Sequence, residues 1–215
     1  MGLTVGGTPE IAVRPATADD AVVVAGIFSR AFRDDPTWSV FLPRPEDRPA
    51  GLRRYYQRAV RRRPERVDVA EADGRIVGAL LWTPPEEERR RRPAAAAGRL
   101  FSTAASRLRG LFSERARRGV RHARAIASFR PAEPHWYLTD IATDPGARGL
   151  GVGSALLSHR LALIDRAGDR PVYLESTTAG SRRLYSRFGF HAVGTVRTQP
   201  GQASTAMIRS APGSG

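Results

Sequence analysis

Strand-like and helix-like segments alternate along most of these 215 residues, which predicts a mixed α/β fold. Three observations carry that expectation. Two short apolar runs, RVDVAEA and RIVGALLWT, meet at Asp73-Gly74, a strong hairpin signal. Val24, Ile27, Phe28 and Phe32 recur at helical spacing between strand-like runs. A glycine-dense loop, DPGARGLGVG, opens directly into an apolar-periodic segment.

The elements follow in order. EIAVRPAT reads as a short first strand halted at Pro15. TADDAVVVAGIFSRAF reads as a helix, with Thr17 and Asp20 as a capping box and acids in the first turn. Pro36 in DDPTW disfavours helix at Asp35 and ends it. A second helix covers PAGLRRYYQRAVRR, and the two-stranded hairpin comes next. Residues 84–134 form an irregular, Arg-rich middle: a charged stretch, PPEEERRRRPAAAAG, then an apolar stripe through Leu100, Ala104, Leu108, Leu111 and Phe112. A further helix runs there from about Ser113 to Phe129. HWYLTDIAT is a strand, and the glycine loop leads into a helix reaching about Ala167. PVYLEST is a strand, and SRRLYSRFGF is a short helix stopping at Gly189. HAVGTVRT and STAMIRS close the chain as strands around a turn at Pro200-Gly201. Residues 1–10 and 211–215 read as disordered, leaving 11–210 as one domain.

Composition narrows the function classes. No run of eighteen apolar residues exists, which excludes a membrane-spanning helix. The start, MGLTVGGTPE, lacks the basic-then-apolar pattern of a secretory signal. Zero cysteines exclude a disulfide framework and a thiolate zinc site, and a cytoplasmic protein is expected. His135 and His191 stand isolated, without metal-ligand spacing, so no metal is expected. Trp82 and Trp136 read as core. The net charge of +14 invites a nucleic-acid reading. All 35 basic residues are Arg, however, which looks like the codon bias of a GC-rich, bacterial genome, and nucleic acid is not the expected partner. Arg89 to Arg92 reads as a solvated face.

Glycine before a helix leaves unsatisfied N–H groups and the positive end of the macrodipole open, which suits a phosphate. A phosphate loop of the Gly-Lys-Ser/Thr kind fails, because the chain has no lysine. Gly149, Gly151 and Gly153 are spaced by two throughout, which fits a dinucleotide fingerprint poorly. R-x-x-G-x-G is met by Arg148, Gly151 and Gly153, between a strand and a helix.

That loop, LTDIATDPGARGLGVGSALL around it, and the later LYSRFGF together resemble the GNAT superfamily of acetyl-CoA-dependent N-acetyltransferases. More narrowly, GALLWTPPE, RPAEPHWYL, YLESTTAGSRRLYSRFGF and a final MIRS strand are similar, in that order, to the puromycin N-acetyltransferase group of bacterial enzymes. The resemblance covers roughly Ile11 to Ser210. It implies a mixed, mostly antiparallel twisted sheet of about six or seven strands, flanked by helices and splayed at the coenzyme site. It implies acetyl-CoA as cosubstrate, lying between the TDIAT and VYLES strands. Backbone groups of Ile141, Ala142 and Thr143 would then pair with the pantetheine, and one N–H at Ile141 or Ala142 would face the developing oxyanion. The pyrophosphate would rest on the amides of Gly149, Leu150, Gly151, Val152, Gly153 and Ser154, with Arg148 adding charge.

The resemblance further places the proton donor for the thiolate at Tyr185, a phenol still protonated at neutral pH. Asp140 and Glu175, on the two strands beside the coenzyme, are the candidates for the base. The superfamily often has Asn seven residues before the tyrosine. Thr178 stands there, and Ser181 stands where puromycin-type enzymes have Asn, so these two hydroxyls are the candidates for that coenzyme contact. The acceptor site is expected between the first helices and the variable middle. Asp34 and Asp35 would attract a cationic amine there, and Trp38, Tyr55 and Tyr56 would stack on it. The expected activity is acetyl transfer to a small-molecule amine, such as an antibiotic or aminonucleoside, for resistance or self-resistance, by a monomer or homodimer. Two alternatives stand beside it: acetylation of a protein N-terminus or lysine, and a non-catalytic coenzyme-binding regulator of nucleic acid.

Overall fold

The computed structural model describes residues 9–88, 128–168, 170–199 and 202–211. The expected helices within 89–127, the Arg89–Arg92 run, the Pro200-Gly201 turn and most of both expected disordered ends lie outside the described residues.

Seven strands form one sheet in the order β1-β2-β3-β4-β5-β7-β6. They are β1 (Ala12–Pro15), β2 (Val67–Ala72), β3 (Arg75–Thr83), β4 (Trp136–Thr143), β5 (Val172–Ser176), β6 (His191–Gln199) and β7 (Gln202–Arg209). Every neighbouring pair is antiparallel except β4 and β5. Helices α1 (Ala21–Ala31), α2 (Pro36–Phe41) and α3 (Arg48–Arg62) precede the hairpin. Helix α4 (Val152–Ala167) follows β4, and α5 (Ala179–Arg187) follows β5. The mixed, mostly antiparallel sheet flanked by helices is the fold the sequence predicts.

Local chemistry accounts for the boundaries. The Thr17–Asp20 box forms, with the Thr17 N–H donating to Asp20 Oδ2 at 2.7 Å, and a short 3-10 turn leads into α1. Asp73 and Gly74 both take positive φ in the β2–β3 turn. Helix α2 was not among the expected elements. Helix α1 ends at Ala31, already short of Asp35, and Asp35 starts the next helix instead, because Pro36 fits the first helical position.

Two apolar layers sandwich the sheet. Val24, Ile27 and Phe28 of α1 and Leu52, Tyr56 and Val60 of α3 pack with Val69, Ala79, Leu81 and Ala142 on one face. Leu156, Leu157, Leu161 and Ile164 of α4 pack with Leu80, Leu138, Val172 and Leu174 on the other. Trp82 and Trp136 pack against this second layer, as expected for core tryptophans.

A buried ion pair ties α4 to β2: Arg160 Nε donates to Asp68 Oδ2 at 2.6 Å, and the guanidinium lies 4.0 Å over the Trp82 ring. Asp68 is fully buried, so removing its partner strands a charge. Arg160→Met is expected to lower unfolding free energy by about 3–5 kcal/mol in urea titrations, with Asp68→Leu in the same chain recovering most of the loss.

Candidate active site

The site begins with a failure of strand pairing. β4 and β5 pair in parallel at only two positions, Trp136↔Val172 and Tyr137↔Tyr173. Beyond them β4 continues to Thr143 on β3, and β5 continues to Ser176 on β7, with no pairing between them. The two strands therefore splay into a gap whose β4 side includes Ile141, Ala142 and Thr143. An unpaired strand edge is a template for an extended ligand with amide groups.

At the end of β4 the chain turns through Asp144, whose Oδ1 accepts from the Gly146 N–H at 3.1 Å. Gly149 and Gly151 then take φ of +84° and +81°, the left-handed region that favours glycine. Gly151 is the N-cap of α4 and offers no side chain to its amides. A Cβ built on either glycine meets nothing within 4 Å, so both face open space. Arg148 is exposed beside them. This is an anion cradle with its amides uncovered, and it fits a pyrophosphate.

The other loop residues have different work. The Val152 side chain is buried, and a Cβ at Gly78 of β3 would collide with it, so Gly78 lets the start of α4 approach the sheet. A Cβ at Gly153 would come 3.3 Å from Leu184 of α5, so this glycine serves helix packing. Leu150 and Ser154 are half-buried at the mouth.

Gly151→Ala is expected to raise the KM for acetyl-CoA about tenfold or more, since its methyl enters the space a phosphate needs. At φ +81° it also costs about 1–2 kcal/mol of stability. A β-branched residue there strains the backbone further, so the alanine variant is the cleaner probe. Initial rates against acetyl-CoA concentration and a thermal melt separate the two effects.

Asp140 owes its direction to a bulge. Leu81 and Trp82 of β3 oppose Asp140 and Leu138, leaving Thr139 as an extra residue. Strict alternation would put Leu138 and Asp140 on one face. The bulge separates them: Leu138 packs on the α4 side, while Asp140 meets Tyr56 of α3 on the other. Part of Asp140 reaches solvent, but its carboxyl is densely surrounded by protein. Burial pushes its pKa up to about 8, with the Tyr56 hydroxyl pulling it down and the charges of Asp35 and Glu175 adding to the rise. Tyr56 is fully buried.

Glu175 lies on the same face but is already engaged. Tyr137 Oη donates to its Oε2 at 2.7 Å, and the Arg130 Nε is 3.9 Å from its Oε1. Burial raises its pKa, while the Arg130 charge and the Tyr137 and Tyr173 hydroxyls oppose the rise. Tyr185 is buried on α5, packed against Phe190. Burial, with the Asp140 charge second, holds its pKa above the ordinary phenol value, so it keeps its proton. Tyr185 packs with the α4-side layer and Asp140 lies on the α3 side. They influence each other across the gap between β4 and β5.

Thr178 and Ser181 are occupied at the start of α5. The Ser181 N–H donates to Thr178 Oγ1 at 3.1 Å, the Thr178 N–H reaches Ser181 Oγ at 3.3 Å, and Ser176 Oγ lies 2.6 Å from Ser181 Oγ. Their hydroxyls make a capping box, which leaves less for a coenzyme contact than an Asn amide would.

Asp35, Trp38, Tyr55 and Tyr56 come together as one wall. Asp35 Oδ1 caps α2 by accepting from the Thr37 N–H at 2.8 Å, and its Oδ2 accepts from Thr177 Oγ1 at 3.1 Å, joining α2 to the end of β5. The Trp38 ring stands 5.0 Å from Tyr55 and 5.6 Å from Tyr56, edge-on to both. Tyr55 is 49 % exposed and forms the rim. Asp34 is exposed and enters none of the site's hydrogen bonds or ion pairs among the described residues.

Four residues of the site were not among the sequence candidates: Arg130, Tyr137, Thr139 and Thr177. Of these only Thr139 left a signal, since the polar pair Thr139-Asp140 interrupts the apolar alternation of its strand. Among the described residues no group of three or more His, Asp or Glu could hold a metal ion.

A splayed parallel pair, a glycine-lined helix start at the end of β4, a buried phenol on α5 and a half-buried carboxyl on β4 are the elements of this candidate site. The profile of the acetyltransferase (GNAT) family matches residues 30–190, and the chain belongs to that family. It is an N-acetyltransferase, and enzymes of its family use acetyl-CoA. Its fold is shared by the crystal structure of histone acetyltransferase HPA2 and related acetyltransferase from Corynebacterium glutamicum, 31 % identical, covering 95 % of this chain and 99 % of that one, with a TM-score of 0.67. A polyamine N-acetyltransferase of Drosophila melanogaster aligns over 94 % of this chain and 100 % of that one at 16 % identity, with a TM-score of 0.66. A mosquito arylalkylamine N-acetyltransferase-like protein aligns over the same shares at 17 % identity, with a TM-score of 0.60.

Proposed function

We propose that this chain acetylates a primary amine of a small molecule from acetyl-CoA within a ternary complex, with Asp140 as proton acceptor and Tyr185 as proton donor. The observation that carries this is the splay of β4 from β5, with Asp140 on one strand and Tyr185 on the helix after the other, beside an acidic and aromatic wall. A net charge of +14 repels cations at long range, so the local carboxylates of Asp35, Asp140 and Glu175 must attract the ammonium. The polyamine and arylalkylamine names of the Drosophila and mosquito proteins agree with such an acceptor.

The chemistry divides among named atoms. Bound acetyl-CoA supplies an activated acyl thioester. The Asp140 carboxylate takes one proton from the ammonium, directly or through water, freeing the nitrogen lone pair. Tyr185 Oη gives its proton to the departing sulfur and recovers the second proton released from the nitrogen. Amides at Gly149 to Ser154 and the charge of Arg148 hold the pyrophosphate. Asp140 then returns its proton to solvent.

Within this reading the acceptor class is that of the puromycin N-acetyltransferase group, an antibiotic or aminonucleoside amine, supported by the ordered motifs from GALLWTPPE to MIRS. The histone acetyltransferase name of the Corynebacterium relative favours a second reading, a lysine side chain or peptide. A free-thiol assay with acetyl-CoA against aminonucleosides, aminoglycosides, polyamines, arylalkylamines, amino acids and basic peptides decides between them. Saturable turnover of a small amine with idle peptides supports the first reading. The reverse pattern overturns it, and no thiol release from any acceptor defeats both.

A further inference from the structure

The charge cluster around Glu175 holds two groups, Glu88 and Arg130, that the proposed chemistry does not use. Glu88 and Arg130 flank the segment 89–127 and close on each other, the Arg130 Nη1 donating to Glu88 Oε1. Glu88 is 1 % exposed. The same guanidinium lies 4.2 Å over the Tyr137 ring, and its Nε is 3.9 Å from Glu175 Oε1. Tyr137 in turn donates to Glu175. One half-buried cation thus serves the buried Glu88 and the largely buried Glu175.

We propose that Arg130 is a positioning residue of the acceptor half-site. Clamped by Glu88 and stacked on Tyr137, it keeps Glu175 ionised and in place beside Asp140. The geometry asks for arginine. A planar fork can stack on a ring and face two carboxylates at once, whereas a lysine ammonium is a single point on a flexible stem. Without the guanidinium, Glu88 and Glu175 would be buried with no cation between them. The inference rests on Asp140 being the proton acceptor.

The consequence is electrostatic. Asp140 faces Asp35 at the start of α2, Tyr56 on α3, Tyr137 on its own strand, Glu175 on β5 and Tyr185 on α5. Glu175 faces Arg130, Glu88, Tyr137 and Tyr173. The Glu175 charge adds to the rise at Asp140 and the Arg130 charge opposes the rise at Glu175, so removing that cation moves the last deprotonation at the site to higher pH.

The test is the pH profile of kcat/KM for the amine in five proteins: wild type, Arg130→Met, Glu175→Gln, the double variant and Asp140→Asn. Arg130→Met is expected to move the acidic limb up by about one pH unit, and Glu175→Gln to move it down. In the Glu175→Gln background, Arg130→Met should scarcely move it. A limb that stays put in Arg130→Met, or moves equally in both backgrounds, overturns the proposal. If Arg130→Met does not fold, Glu88→Gln and Arg130→Lys replace it. Glu88→Gln should lower the limb. Arg130→Lys should leave the limb in place while the amine KM rises several-fold and the acetyl-CoA KM does not. An unmoved limb in Glu88→Gln, or an unchanged amine KM in Arg130→Lys, overturns the proposal. Asp140→Asn separates the two failures: a limb persisting there defeats the base assignment itself, whereas one lost there but unmoved by Arg130 defeats only the clasp.

Discussion

Tyr185→Phe cuts kcat by roughly 10²–10⁴ while leaving both KM values within about threefold, because the hydroxyl contributes when sulfur departs rather than when substrates bind. The ring belongs to the layer with Leu174, Phe190 and Met207, so a phenylalanine keeps that packing and removes one oxygen. A melting curve close to wild type is therefore expected. The loss should shrink when the acetyl donor has a leaving group of much lower pKa than an alkyl thiol, since such a group needs no proton. Comparing acetyl-CoA with an aryl thioacetate under single-turnover conditions reads this directly. Equal losses with both donors would make Tyr185 a packing residue, and undiminished kcat would do the same.

Much of the coenzyme half is legible in the sequence because its requirements are local. Positive φ at Gly149 and Gly151 and an uncovered helix start need only neighbouring residues, and glycine states them openly. The acid at Tyr185 sits in a short helix whose stop at Gly189, with φ +82°, is equally local. Glycine alone does not separate its uses, however. Gly153 lies in the same run, yet its missing side chain makes room for Leu184 of α5. The acceptor half is less legible because its parts come from distant segments. Asp35 is a cap and a wall residue at once, through a hydrogen bond to Thr177 across 142 positions. Which face Asp140 takes depends on the extra residue at Thr139, and a bulge is a relation between two strands. Arg130 gains its meaning from Glu88, Tyr137 and Glu175, none of them its neighbour in the chain.

Asp140→Asn is expected to lower kcat/KM by about 10²-fold or more at pH 8 and to abolish the acidic limb of its pH profile. With a pKa of about 8, the wild-type carboxyl is ionised in about a tenth of molecules at pH 7, so activity should climb steeply between pH 7 and 9. An acceptor whose amine stays an ammonium throughout that range keeps substrate ionisation out of the reading. The sign of the stability effect distinguishes catalysis from damage. A carboxyl whose folded pKa exceeds its unfolded one binds more protons native than unfolded, so stability falls as pH rises from about 4 to 8. Asparagine has no such proton to lose. The variant should therefore match or exceed wild-type stability at pH 8, and its advantage should fade toward pH 4. A dead enzyme more stable than its parent would show a site held at a cost in fold stability for its chemistry. Urea titrations at pH 5 and pH 8 measure it, and a variant less stable at both would mean that Asp140 is structural.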